Sequence, residues 1–279
     1  MSQEPVVSTT EIGARLEAAL AFAREAGAVT LRYFGARGGV GAGGFEVSTK
    51  RDGSEVTTAD REAEQRLRGL IERAFPDDGV LGEEFGEKAS ASGWRWVLDP
   101  IDGTASFVHG VPLYGTLVAC EFGGQTRAGV IHMPVLGETV YAGEGGGAWH
   151  IGREGASPAR ARVSGISSTA EAMMCTTSYG YYRQAGLEPA LTAVFERFGK
   201  SRGWSDCYAH VLCATGRIEA VVEPVLHPWD IAPMQVIYAE AGGRTTDWAG
   251  RPGSYHPTGV STNGLVHEEL LELLAPFAR

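Results

Sequence analysis

No stretch of this sequence stays apolar long enough to cross a bilayer as a helix, which speaks against a membrane partner. Met1 to Thr10 is polar and lacks the apolar core of a signal peptide. Cysteine is scarce. Cys120, Cys175, Cys207 and Cys213 form no CxxC pair and no small disulfide framework. Cys207 and Cys213 could fall near each other, but buried free thiols are the expectation. A reducing cytoplasm fits these absences. Positive charge is also short: 24 Lys and Arg stand against 34 Asp and Glu, a formal net charge of -10. Such a surface repels nucleic-acid phosphates and anionic lipid, so neither is expected as a main partner. An acidic chain can still hold a phosphate if bound cations reverse the local field. GxxxxGK[ST] is missing, which excludes a P-loop.

What is present suits a globular protein. The 279 residues can form one large domain or two intimately packed halves, and 43% are hydrophobic and 21% charged. Apolar positions at helical spacing predict a helix from Glu11 to Phe34 and a second one after Thr57-Thr58, with either Thr as cap. The stretch Gly35 to Gly44 reads as a glycine-rich loop. Short apolar runs then read as strands: Val80-Leu81, Trp94 to Leu98, Leu113 to Phe122, Ala128 to Met133 and Glu138 to Ala142. The last three are spaced as an antiparallel meander. The polar segment Gly152 to Arg162 is the candidate boundary between residues 1–150 and 151–279. Beyond it, strands at Met173 to Thr176 and Ile218 to Val222 alternate with helices at Pro189 to Phe198, Tyr208 to Thr215 and Ile231 to Ala241. Gly242-Gly243 ends the last of these, a strand begins at Arg244, and Leu265 to Phe277 is a terminal helix. The fold class is therefore α+β in the first half and α/β in the second.

Chemistry concentrates at Gly82-Glu83-Glu84 and at Trp96 to Thr104. A hydrophobic strand delivers Asp99, Pro100 removes a backbone donor, and Asp102 follows at a turn. Two carboxylates this close cannot both be buried and ionised without a countercharge. No Lys or Arg lies between Trp96 and Thr104, so a hard divalent cation is the natural partner, with the Ile101 carbonyl as a further oxygen donor. Gly103 and Thr104 would begin a helix whose amides favour an anion. The competing reading is a solvated Asp-Gly turn. For Asp60 and Asp230 it is a helix-start carboxylate complementing the dipole, and for Asp206 a helix cap. His109, His210 and His227 have no partner at ligand spacing, so structural or solvent-facing roles are expected. Tyr179, Tyr181 and Tyr182 read as surface or interface aromatics, and Lys50-Arg51 as a solvated loop pair.

These blocks resemble the inositol monophosphatase superfamily. Gly82-Glu83-Glu84 and Asp99-Pro100-Ile101-Asp102-Gly103-Thr104 look like its first signature. Pro228-Trp229-Asp230-Ile231-Ala232 with Glu240-Ala241-Gly242-Gly243 looks like the second, and Val56-Thr57-Thr58-Ala59-Asp60 matches a third block. The resemblance spans nearly the whole chain. It implies a layered αβαβα sandwich and a Mg²⁺-dependent phosphatase using two to three ions. Glu83, Asp99 and the Ile101 carbonyl would hold one ion. Asp99, Asp102 and Asp230 would hold a second, and Glu83 with water a third. Thr104, oriented by Asp60, would join Glu83 in activating water, with Gly103 and Thr104 at the phosphate. Trp204 to Tyr208, Ala214 to Arg217, Ser106-Phe107, Gly115 to Ala119 and Thr246 to Gly250 are similar to the histidinol-phosphate phosphatase branch. On that reading Glu223 and Asp206 contact the cationic organic part of the substrate. The alternatives are an inositol-phosphate or broader sugar-phosphate phosphatase, and a regulatory homologue that binds RNA or a transcription complex. The resemblance also implies a homodimer.

Overall fold

The computed structural model describes residues 7–35, 46–49, 55–204 and 206–278. Lys50, Arg51 and the glycine-rich stretch beyond Gly35 lie outside the described residues.

Helix α1 (Thr9–Leu31) opens on a capping box between Ser8 and Glu11. Strands β1 (Val47–Thr49) and β2 (Glu55–Thr57) pair antiparallel and lead into α2 (Thr58–Ala74), capped by Thr57. Then come β3 (Gly79–Gly82), β4 (Gly86–Lys88), β5 (Trp94–Asp102) and the short helix α3 (Thr104–Val108). The meander follows as β6 (Gly115–Phe122), β7 (Gln125–Met133), β8 (Glu138–Gly143), β9 (Ala148–Ile151) and β10 (Ala159–Arg160). These strands form an eight-stranded sheet of order β10-β9-β8-β7-β6-β5-β3-β4. Only the β3–β5 pair in it is parallel.

The chain then builds a second sheet. Its elements are β11 (Met173–Thr176), α4 (Tyr179–Ala185), α5 (Glu188–Arg197), β12 (Lys200–Arg202), α6 (Asp206–Ala214) and β13 (Ala220–Glu223). They continue as α7 (Pro228–Ala241), β14 (Arg244–Thr246), β15 (Gly259–Thr262) and α8 (His267–Leu274). The strand order is β12-β11-β13-β15-β14, with β11 parallel to both of its neighbours.

Period-two alternation along the strands makes the layers. On the large sheet Val118, Cys120 and Val130 pack against Ala19, Phe22, Leu67 and Ile71 of α1 and α2. Their neighbours Leu117 and Ile131 point the other way, into a core with Val211, Met234 and Ile237 of α6 and α7. Cys175 and Val221 of the second sheet close that same core. Met174, Ala220 and Val222 face outward onto Leu191, Val194, Leu270 and Leu274. The order of layers is helix, sheet, helix, sheet, helix, as the αβαβα reading requires.

Several details differ from the sequence reading. The polar segment Gly152 to Arg162 contains β10, which extends the edge of the large sheet by pairing with β9. Tyr182 is not a surface aromatic: it lies fully buried on α4, its hydroxyl against Thr176 and Val222, whereas Tyr179 and Tyr181 are exposed. The short polar strands β4 and β12 and the helix α4 carry too little periodicity to be read locally. All four cysteines are free and buried. Among the described residues no helix is long and apolar enough to cross a membrane.

Candidate active site

The central feature is a bulge in β5. Pairing with β6 is regular to Asp99, opposite Leu117, and resumes at Asp102, opposite Gly115. Three steps on one strand therefore match two on the other. In a regular strand residues i and i+3 point to opposite faces, and one extra residue returns Asp102 to the side of Asp99. Pro100 suits the bulge because it has no N–H to leave unpaired. The Ile101 N–H donates to Asp99 Oδ1 at 3.0 Å, and the Thr116 hydroxyl donates to the Pro100 carbonyl at 2.9 Å.

Helix starts bring further carboxylates. Asp230 occupies the third position of α7, where its Oδ2 accepts the His227 N–H at 2.7 Å. Asp60 has the same place on α2 and accepts both the amide and the hydroxyl of Thr57. Both make the capping contact that a helix-start Asp makes. Asp230 is nonetheless part of a cluster: ligand atoms of Asp99, Asp102 and Asp230 all lie within 4.8 Å of one another. Glu83 continues the β3–β5 ladder by one residue, its N–H donating to the Leu98 carbonyl at 3.3 Å.

Gly103 follows with φ 87°, a left-handed conformation that suits glycine. A Cβ there would also lie 3.1 Å from Asp206 Oδ2, so the Asp206 carboxylate sits directly against this turn. The Thr104 hydroxyl donates to the Ile101 carbonyl at 3.1 Å. It does not turn toward Asp60 in this arrangement, and Asp60 takes its bonds from Thr57. Asp102 Oδ2 accepts the Cys207 N–H, which ties the end of β5 to the start of α6. Glu223 ends β13, is 6% exposed, and meets His210 Nε2 at 3.0 Å through Oε2.

The electrostatics follow from crowding like charges in a buried place. Burial, then Glu83, Asp102 and Asp230, push Asp99 well above the usual carboxylate range. Burial, then Asp206 and Asp230, do the same to Asp102, and burial with Glu83, Glu223 and Asp206 raises Asp230. Burial lifts Asp60 to about 7 against the opposing bonds from Thr57. A set of hard oxygen donors that repel one another is the donor set a hard divalent cation satisfies. Asp206 and Glu223 are among the like charges that act on both Asp102 and Asp230.

Sequence reading missed one residue at this site. Glu64, one turn after Asp60 on α2, is fully buried and accepts the amides of Glu84 and Phe85 at 2.7 and 3.2 Å. It thereby pins the turn that carries Glu83. A Cβ on Gly82 would lie 2.1 Å from Glu64 Oε1. Gly82→Ala is therefore expected to cost roughly 1–3 kcal/mol in urea unfolding, the usual cost of overpacking. Wild-type stability in that variant would show that Glu64 moves aside freely. His210, expected in a structural or solvent-facing role, takes the structural one: it is buried, and its partner Glu223 lies on another element. The i, i+4 spacing of Asp60 and Glu64 on one helix face was the available signal for Glu64.

Known proteins share this architecture and sequence. The histidinol-phosphatase of Chlorobaculum parvum is 42% identical over 257 residues, 92% of this chain and 95% of that protein. The histidinol-phosphatase of Mycobacterium tuberculosis is 36% identical over 256 residues, 92% of this chain and 96% of the relative. The solved structure of the Thermotoga maritima IMPase superposes with a TM-score of 0.82 at 30% identity, covering 94% of this chain and 97% of that one. The description "Inositol monophosphatase family" belongs to the family model that matches residues 14–278, and with the acidic cluster in place the chain belongs to that family.

Proposed function

We propose that this metal-dependent phosphatase uses Mg²⁺ to hydrolyse L-histidinol phosphate to L-histidinol and phosphate. The observation that supports the substrate choice is the Asp206 carboxylate against the Gly103 turn, with Asp206 and Glu223 both acting electrostatically on Asp102 and Asp230. Carboxylates there suit the ammonium and imidazole of that substrate. The names of the two histidinol-phosphatases support the same choice.

In this proposal Glu83, Asp99, Asp102, Asp230 and the Ile101 carbonyl hold two to three Mg²⁺ ions. When bound, these supply charge neutralisation for the phosphoryl group and lower the pKa of water. Glu83 and Thr104 position the attacking water, and Asp60 orients Thr104 once its hydroxyl turns from Ile101. The amides of Gly103 and Thr104 meet the phosphate. Residues 1–150 contribute most of the metal donors, and residues 151–279 complete the metal and substrate site. A homodimer in the cytoplasm with no nucleic-acid partner completes the proposal, supported by the net charge of -10 and the family. The test is phosphate release with Mg²⁺ from histidinol phosphate, inositol 1-phosphate, fructose 1,6-bisphosphate and an adenosine bisphosphate. A clear preference for any of the last three would displace the substrate assignment.

A pH signature follows from the crowded carboxylates. Asp60 is raised from 3.8 to about 7, so between these values the folded state binds more protons than the unfolded state. Its stabilising contribution is complete below about pH 4 and is lost as pH rises through 7. Asp99, Asp102 and Asp230 are raised too and act with the same sign. The chelator-treated protein is expected to melt at a lower temperature at pH 8 than at pH 5.5. Mg²⁺ replaces the lost protons, so its stabilising increment should be larger at pH 8. Calorimetric melting at both pH values, with EDTA and with Mg²⁺, checks this. Equal Mg²⁺ increments at the two pH values would remove these carboxylates from the metal site.

A further inference from the structure

Behind Glu223 lies a buried chain of polar groups drawn from three elements. His210 on α6 is 2% exposed, and its Nε2 meets Glu223 Oε2 on β13 at 3.0 Å. Its Nδ1 lies 3.2 Å from the hydroxyl of Tyr238 on α7, a fully buried residue. A neutral imidazole offers one donor and one acceptor, so the chain has two polarities. In one, the Tyr238 O–H donates to Nδ1, Nε2–H donates to Glu223, and Glu223 is purely an acceptor. In the other, a protonated Glu223 donates to Nε2, Nδ1–H donates to Tyr238, and Glu223 acts as a donor. The first suits a substrate group rich in N–H donors, and the second opposes it.

We infer that Tyr238 and His210 form a one-directional relay that holds Glu223 as an acceptor for the nitrogen-bearing part of the substrate. This rests on Glu223 being a substrate contact, as proposed above. His210 is then a positioning residue: it occupies one carboxylate oxygen, fixes the rotamer, and acts on the substrate only through Glu223. The role is compatible with its complete burial, which rules out direct solvent-side contact.

Two measurements test the relay. Imidazole ¹⁵N NMR of the wild-type protein should show His210 with the proton on Nε2 and a bare Nδ1. A proton on Nδ1 alone would overturn the inference without any variant. For the second, kcat/KM with Mg²⁺ is measured for histidinol phosphate and for 4-nitrophenyl phosphate. His210→Leu should lower the ratio of the two about fivefold, the worth of one ordinary hydrogen bond. The double variant His210→Leu, Glu223→Gln should fall no lower in ratio than Glu223→Gln alone, because the two residues act as one unit. If Glu223→Gln lowers the ratio while His210→Leu does not, or if the effects add, the relay is wrong and the substrate contact stands. If Glu223→Gln itself leaves the ratio at the wild-type value, the substrate contact fails and the relay falls with it.

Discussion

Asp102→Asn is expected to abolish turnover while leaving a folded protein that is more stable than wild type in the absence of metal. Asp102 lies within the Asp99, Asp102 and Asp230 cluster, and its Oδ2 accepts the Cys207 N–H. An amide oxygen can keep that hydrogen bond, so the join between β5 and α6 should survive. What the amide lacks is the charge. Without cations the Asp102 carboxylate contributes to raising Asp99, so removing it relieves repulsion in the empty site. With Mg²⁺ the balance reverses. One hard anionic donor is gone, and the electrostatic stabilisation of the phosphoryl transition state weakens, a loss of roughly 10³-fold or more in kcat. Melting at pH 8 with EDTA should therefore rise, and the Mg²⁺ increment should shrink. Near-normal phosphate release from a folded variant would take Asp102 out of the donor set. A large loss of metal-free stability would make its role structural.

The parts of this site that were legible in the sequence are those whose logic is local. Asp99-Pro100-Ile101-Asp102 could be read because a strand, a proline and a glycine turn stand next to one another. The bulge then explains why this spacing puts both carboxylates on one side. Asp60 and Asp230 were legible as helix-start acids, and the structure gives each its capping contact as well as its place near the cluster. Elements with clean periodicity, such as α2 and the β6–β8 meander, were legible for the same reason. Glu64 was not, nor was the partner of His210, because these contacts come from other elements. Glu64 meets the amides of Glu84 and Phe85, 20 and 21 residues on, and the side chain of His210 meets Glu223, 13 residues on. The burial of Tyr182 is likewise a tertiary fact: α4 is only seven residues long, and its inner face is defined by Thr176 and Val222.

Glu223→Gln should change substrate choice more than it changes chemistry. The residue ends β13, and its charge is among those acting on Asp230, so it stands within electrostatic reach of the carboxylate cluster. Glutamine keeps the shape and can still accept a hydrogen bond from His210 Nε2–H, so the second sheet should keep its packing. It cannot supply a full negative charge to an ammonium or imidazolium. A charge-assisted contact of this kind contributes about 1.5–3 kcal/mol, or roughly ten- to a hundredfold in binding. The expected result is a fall of that size in kcat/KM for histidinol phosphate. An aryl phosphate has no cationic organic group to lose and should respond much less. Asp206→Asn should follow the same pattern more weakly, because Asp206 also lies against Gly103 and acts on Asp102. The ratio between the two substrates decides the matter, since each rate alone also reports on folding and on metal occupancy. Equal losses on both substrates would mean that these carboxylates support the metal site or the fold. A wild-type enzyme that prefers inositol 1-phosphate outright would leave the phosphatase family standing and remove the cationic substrate.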